Sequence, residues 1–338
     1  MLGSPTTYGP EAENSSAGRK VEVVDRLERH RTELTGYCYR MLGSGFEAED
    51  AVQETLVRAW RAYESYDERR GTLRVWLYRI ATNVCVDMLR SAQRRALAID
   101  LGPASQAGAA LGPPVADERW IHPIADARAL PEDLAVRRET IRLAFVAALQ
   151  HLPARQRAAL ILRDVLCWTA RETADLLDTT VASVNSALQR ARATLRANAP
   201  ALDAGHRPDD AARRDLLDRY CAAFERHDID TLVSLLHEDV TMSMPPFAWW
   251  LRGREQIRLA MSDPAASCAG ARLWPVAANG SPAFWQTRPA HDGGHHPFAL
   301  IVLDVADGGI ADIVTFLGAE RLAGLFPPMT FDVHGKSA

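Results

Sequence analysis

The stretch TARETADLLDTTVASVNSALQRARATLR, residues 169–196, limits the fold more than any other part of the chain. Thr169 followed by Glu172 is a capping box: the Thr hydroxyl accepts an amide hydrogen bond while the Glu side chain reaches back to the cap amide. A helix therefore starts at Ala170. It can run only to about Leu177, because Asp178, Thr179 and Thr180 supply turn and cap chemistry before Val181 opens a second helix. Two short helices joined by a tight turn, behind a longer helix, make a helix-turn-helix layout.

At about 100° per residue, Val181, Val184, Leu188, Ala191 and Leu195 form one sector of the second helix. Ala182, Ser183, Ser186, Gln189 and Arg190 lie opposite, with Asn185 on the flank. Small residues let a backbone enter a major groove, Ser and Gln can bond to base edges, and Arg190, Arg192 and Arg196 can meet bases or phosphates. A small, uncharged face could also pack inside a bundle, but the capping box, the turn and the Arg content together favour a groove-reading helix.

The 338-residue chain carries a net charge of −4, which by itself argues against nucleic acid. That average hides a gradient: residues 134–199 hold ten Arg and no Lys against five Asp plus Glu, a local +5. One basic module in an acidic chain suits DNA contact by one domain. With 47% hydrophobic and 24% charged residues, the composition is that of an ordinary soluble protein of two or three domains. No run has the length of a membrane helix and the N-terminus lacks a signal-peptide core, so a cytoplasmic location is expected. The five cysteines (38, 85, 167, 221, 268) show neither disulfide nor zinc spacing and are expected to be reduced and mostly buried.

Along the chain, residues 1–20 are small and polar and are expected to be disordered. Helical patterns fill residues 21–97. The Gly-, Ala- and Pro-rich stretch at 98–133 reads as a flexible linker. Residues 134–197 carry the helix-turn-helix, with Pro153 in the first turn of a helix. A second linker covers 198–211. In 212–326, helices give way to the β-like runs VTMSM, ARLWPVAA, AFWQTR, FALIVLDV and IADIVTFL, so this segment is α+β. A tail of 327–338 remains.

In the first helical block, Glu47, Glu49, Asp50 and Glu54 crowd one helix start, where the helix dipole alone favours acids. In the next helix Leu77, Ala81, Val84 and Met88 share a sector, which leaves Trp76, Arg79, Asn83, Asp87 and Arg90 opposite. An aromatic beside Arg and Asn suits a strand being unpaired, since bases stack on rings and polar groups read their edges. Trp76 could equally be a core residue. Arg94 and Arg95 extend the basic edge.

The stretches AEDAVQETLVRAW, WLYRIATNVCVDMLR, LPARQRAALILRDV and VNSALQRARATL together resemble bacterial extracytoplasmic-function sigma factors, from about residue 25 to 197. The resemblance implies two all-α domains: the first binds core RNA polymerase and the minus ten element, and the second, the helix-turn-helix, binds the minus thirty-five element. It implies that Asp50, Gln53 and Glu54 contact the clamp coiled coil of the largest polymerase subunit. By the same resemblance the first domain, 21–97, is region two and the second, 134–197, is region four, which is expected at the flap of the second-largest subunit. Trp76, Arg79 and Asn83 are implied in minus ten recognition and melting, and Ser183, Asn185, Ser186, Gln189 and Arg190 in minus thirty-five recognition. The linker matches the tether with which the family spans the polymerase. Such proteins are not enzymes, and free sigma factors need little DNA affinity, which suits the acidic remainder of the chain.

Residues 212–326 resemble SnoaL-like domains of the cone-shaped α+β fold, through element order and the pieces MPP, WLRGREQI and ANGSPAF. The whole chain resembles the SigG-like subgroup that carries such a domain behind its promoter-reading part. The candidate pocket is Met242, Met244, Trp249, Trp250, Trp274 and Trp285, with Tyr220 and Phe316. It is expected to hold a small-molecule ligand or to serve an intramolecular contact, although large aromatics are more often plain core. Asp239 and Asp304 have no His or Arg partner at a recognisable motif, so no catalytic residue and no cofactor are assigned. His291, His295 and His296, around Asp292-Gly293-Gly294, read as a solvated turn rather than a metal site. The competing hypothesis is a sigma-like DNA-binding protein fused to a SnoaL-type isomerase or hydrolase.

Overall fold

Helix α1 (20–28) leads into α2 (Arg31–Leu42), α3 (Gly45–Ala62) and α4 (Leu73–Leu89) in a computed structural model. The structure describes residues 20–90, 94–131, 135–198, 210–263, 268–290 and 294–328. Helices α3 and α4 each start on a side-chain cap: Ser44 accepts from the Glu47 amide at 3.4 Å and Thr72 from the Val75 amide at 3.4 Å. Ala48, Ala51, Val52, Leu56 and Ala59 of α3 are buried against Leu77, Ala81 and Val84 of α4, at the spacings of three and four that put one face inward. Tyr37 ties α2 to α4, with its ring 5.1 Å from that of Tyr78 and its hydroxyl 2.7 Å from Thr82 Oγ1.

Region four contains α6 (Leu143–Gln150), α7 (Ala154–Leu160), α8 (Ala170–Leu176) and α9 (Val181–Asn198), after a short helix α5 (Asp126–Ala129) in the preceding segment. Pro153 is the cap of α7 rather than part of its first turn. A π-turn at Ile161–Val165 continues α7. The capping box closes both ways: the Glu172 amide donates to Thr169 Oγ1 at 3.2 Å and the Thr169 amide to Glu172 Oε2 at 2.7 Å. Thr180 Oγ1 caps α9 through the Ser183 amide at 3.1 Å. Val184, Leu188 and Ala191 are buried, whereas Val181 is 38% exposed, so the packed sector begins one turn later than the sequence pattern suggests.

The third part pairs α10 (Asp210–Glu225), α11 (Ile229–Ser234) and α12 (Arg254–Met261) with β1 (Leu236–Ser243), β2 (Trp250–Arg252), β3 (Arg272–Ala278), β4 (Ser281–Pro289), β5 (His295–Ala306) and β6 (Gly309–Leu317), followed by α13 (Ala319–Leu322). The sheet order is β2-β1-β6-β5-β4-β3, with β1 and β6 parallel and the other pairs antiparallel. Strand alternation splits the apolar residues between two faces. Leu273, Phe284, Ile301, Leu303 and Ile313 pack with Tyr220 and Phe224 of α10 and with Trp249, just before β2. Trp274, Trp285, Leu300, Val302, Val314 and Phe316 face the other way and join one continuous cluster with regions two and four. Both faces are covered, which is why Ala299–Leu303 is buried without a break.

The segment between regions two and four is held along much of its length. The Ser105 amide donates to the Trp250 carbonyl at 2.7 Å, the Val115 amide to the Pro246 carbonyl at 2.8 Å, and Trp250 Nε1 to the Gly102 carbonyl at 3.0 Å. Trp120, Ile121 and Ile124 are buried. The Gly, Ala and Pro content suggests a flexible tether, but these apolar anchors bind it to the cone. At Gly36, an added Cβ would lie 2.2 Å from the Ala129 carbonyl, so only glycine lets α5 approach α2 this closely.

Candidate polymerase and promoter interface

Asp50, Gln53 and Glu54 are all exposed on α3. Glu54 pairs with Arg58 at 2.6 Å across one turn, and Gln53 Oε1 accepts from Arg31 at 3.3 Å. The neighbouring acids are used internally: Glu47 holds Arg95 at 2.6 Å and Glu49 holds Arg128 at 3.0 Å. Arg95 is therefore buried, with further bonds to the carbonyls of Asp117 and Trp120, and adds nothing to an exposed basic edge.

On α4, Arg79 and Asn83 are exposed and Trp76 is half-buried, its ring stacked on that of Tyr66 at 5.1 Å and 29°. This stripe meets region four. Arg79 Nη2 donates to the Asp175 carbonyl of α8 at 2.5 Å. One turn earlier, the Arg74 guanidinium bonds Glu33 at 2.7 Å and lies over the rings of Tyr78 and Trp168, 5.1 and 5.3 Å from their centroids.

Ser183, Asn185, Ser186, Gln189 and Arg190 are all exposed on α9 and form one accessible face. Arg192, by contrast, is tied to Asp164 by two bonds of 2.7 and 2.9 Å, so this guanidinium serves packing between α9 and the π-turn.

Models of sigma-70 region 2 and sigma-70 region 4 match residues 27–95 and 142–195, and a model of the SnoaL-like domain matches 217–313. Over 315 residues the chain is 43% identical to the ECF RNA polymerase sigma factor SigG of Mycobacterium tuberculosis, across 91% of this chain and 84% of that relative. The chain belongs to the extracytoplasmic-function sigma factors. Its partners are accordingly core RNA polymerase and promoter DNA. The ECF sigma factor SigJ of the same organism is 33% identical over 220 residues, which cover 65% of this chain and 64% of SigJ. The crystal structure of M. tuberculosis SigJ has the same fold, with a TM-score of 0.58 at 23% identity over 89% of this chain and 98% of SigJ. No helix among the described residues is long and apolar enough to cross a membrane.

The six candidate pocket residues of this sigma factor are not brought together. Met242, Met244 and Trp249 lie with the cone interior, Trp250 packs with Trp120 and Ala98 of the inter-region segment, and Trp274 and Trp285 face the sigma regions with Phe316. Asp304 has an Arg partner after all, supplied from a distant part of the chain: Arg142 of region four, at 2.6 Å. Asp239 pairs with Arg252 at 3.4 Å on the surface. Asp312 stands opposite Asp304 in the sheet; burial, with the nearby Asp304 charge, raises its pKa to about 6 against a hydrogen bond from Thr241. His295 bonds Thr287 at 3.1 Å, and His291, Asp292 and Gly293 lie outside the described residues. No group of three or more His, Cys, Asp or Glu among the described residues could hold a metal. No disulfide joins the cysteines among the described residues; Cys38 and Cys85 are buried, but Cys167 is exposed.

Sequence patterning missed the residues that join the three parts. Asn279 and Gly280 form the β3–β4 turn with φ of 54° and 62°. The Asn279 side chain donates to Tyr39 Oη at 2.6 Å and the Ile141 carbonyl at 2.8 Å, and accepts from the Ile124 amide at 3.0 Å. One buried side chain thus binds region two, the inter-region segment and region four. Gly280 donates to Asp126 at 2.7 Å, and an added Cβ there would lie 2.3 Å from the Arg138 carbonyl. His122 bridges in parallel, 3.0 Å from Ser44 Oγ and 3.0 Å from Asp117, which also pairs with Arg321. These contacts hold the Asp117 carboxyl down at about 2. The signal available in the sequence was the Asn-Gly dipeptide between two β-like runs.

Proposed function

We propose that this sigma factor rests in a closed form, in which the cone clamps regions two and four together, and that transcription initiation requires the clamp to open. The bond from Arg79 to the Asp175 carbonyl carries this reading, because it packs the minus ten stripe against the helix-turn-helix. A compact body of about 170 residues is ~40 Å across. Promoter elements about 25 base pairs apart at ~3.4 Å each are separated by ~85 Å. Regions two and four must therefore part before both elements are engaged.

In the open form, Asp50, Gln53 and Glu54 bind the clamp coiled coil of the largest polymerase subunit and region four binds the flap of the second-largest. Trp76, Arg79 and Asn83 read and open the minus ten element. Ser183, Asn185, Ser186, Gln189 and Arg190 read the minus thirty-five element. The exposure of all the α3 and α9 residues supports this division. The cone acts as a regulatory clamp rather than an enzyme, supported by Asp304, which has a buried Arg partner, being spent on region four. The protein works in the cytoplasm, where core polymerase is.

Run-off transcription with purified core tests this. The full chain should support specific initiation, and loosening the clamp through Asn279→Ala should raise initiation at limiting sigma factor. Unchanged output from that variant would remove the clamp, and no initiation under any condition would remove the assigned residue roles.

A further inference from the structure

Regions two and four enclose a cleft of about 210 Å³, with Arg94, Arg95 and Glu47 on one wall and Gln150 and Arg157 on the other. Its charge is unbalanced. Arg95 is matched by Glu47 at 2.6 Å. Arg94 rests on an imidazole nitrogen, 2.7 Å from His151 Nδ1, with no carboxylate pair among the described residues. Asp100 stands 4.0 Å from the other ring nitrogen of His151 and does not line the cleft.

Arg157 is the more telling group, since it is only 4% exposed. Its two Nη atoms donate only to uncharged oxygens: the Met41 carbonyl, Gln150 Oε1 at 2.6 Å, the Gln150 carbonyl at 3.3 Å and the Leu152 carbonyl at 3.1 Å. Its Nε is buried and has no partner among the described residues. Burial alone pulls its pKa down to about 10. A buried guanidinium without a counter-ion among the described residues is a costly arrangement that negative charge in the adjoining cleft would relieve.

We propose that this cleft binds a small phosphorylated molecule, with its phosphoryl group between Arg94 and Arg157. Guanidinium donors suit phosphoryl oxygens better than any other common anion partner. At about 30 Å³ per water, the space holds about seven waters, room for one or two phosphoryl groups. Its walls belong to different regions, so the site exists only while they are packed together, and the ligand stabilises that form as its concentration exceeds its Kd. Both the binding and its regulatory consequence rest on the closed form proposed above; a single short energy-transfer distance between regions two and four in the free chain shows that form present, so that absent binding then falls on the site alone.

The test is titration calorimetry of the full chain with inorganic phosphate, pyrophosphate and ATP, alongside an Arg94→Gln variant whose thermal melt matches the parent. At least one probe is expected to bind with a Kd below ~1 mM, weakened about fivefold or more in Arg94→Gln. Tighter binding of ATP than of phosphate and pyrophosphate points to a nucleotide, and the reverse to a free phosphate. No binding by any probe, or binding indifferent to Arg94, overturns the site. Displacement of the bound probe by promoter duplex at Arg94 overturns the small-molecule assignment in favour of a DNA backbone. Arg94-dependent binding that leaves run-off transcription unchanged keeps the site and refutes its control of opening.

Discussion

Asn279 Nδ2 donates to Tyr39 Oη at 2.6 Å, and Tyr39 in turn donates to the His122 carbonyl at 2.9 Å, so a hairpin tip of the cone, helix α2 and the inter-region segment share one buried relay. Asn279 is fully buried and sits in the left-handed region, which Asn tolerates better than Ala. Asn279→Ala should therefore cost the closed form about 2–4 kcal/mol, from three lost hydrogen bonds and the backbone strain. Tyr39→Phe, which removes one hydroxyl, should cost about 1 kcal/mol. Urea unfolding of both variants checks the order; equal and small losses would mean that the relay does not hold the parts together.

Gly36→Ala should detach α5 from α2, because its Cβ would meet the Ala129 carbonyl at 2.2 Å. Amide exchange over residues 126–130 should accelerate while the amides of β5 and β6 keep their protection. Unchanged exchange at 126–130 would show that the approach of the two helices is not tight in solution.

Asp312 and Asp117 give opposite pH dependences. The folded pKa of Asp312 is raised to about 6 by burial and by Asp304, so the fold favours its protonated form. Its contribution is present below about 4, the unfolded value, and is lost as pH rises through about 6. Asp312→Asn should accordingly raise Tm at pH 7.5 and change it little at pH 4.5. Asp117 is held at about 2 by His122 first and then Arg321, so its contribution is present above about 4 and is lost as pH falls through about 2. Asp117→Asn should lower Tm at pH 7.5. Melts of the two variants at both pH values decide the matter; a loss of Tm in Asp312→Asn at pH 7.5 would contradict the assignment.

On α9, Gln189→Ala and Arg190→Ala should each weaken promoter discrimination by about 1–3 kcal/mol and leave core binding intact. Arg192→Ala should behave differently, lowering the stability of region four through the lost Asp164 bonds. Competition binding of holoenzyme to matched and mismatched promoters, with melts of the free protein, separates the two behaviours.

The sequence made local features plain because local chemistry determines them. The capping box at Thr169 and Glu172, the turn before Val181 and the exposed face of α9 follow from hydrogen bonds and periodicity within a few residues. Long-range pairing was hidden. Trp274 and Trp285 look like pocket residues because a period of two says which residues share a sheet face, not what covers it. The unbroken apolar run FALIV, read only as β-like, is the mark of a sheet covered on both sides. Composition also misled at 98–131, where Trp120, Ile121 and Ile124 outweigh the surrounding Gly, Ala and Pro. The partner of Asp304 lies 162 residues away, beyond any motif.

Single-molecule energy transfer between dyes at Glu64 in region two and Arg171 in region four, both exposed, tests the closed resting form most directly. One short distance is expected in the free chain, and a jump of several tens of ångströms, toward the ~85 Å promoter span, when core polymerase binds. A free chain that already samples the long distance, or a bound one that keeps the short distance, would contradict it.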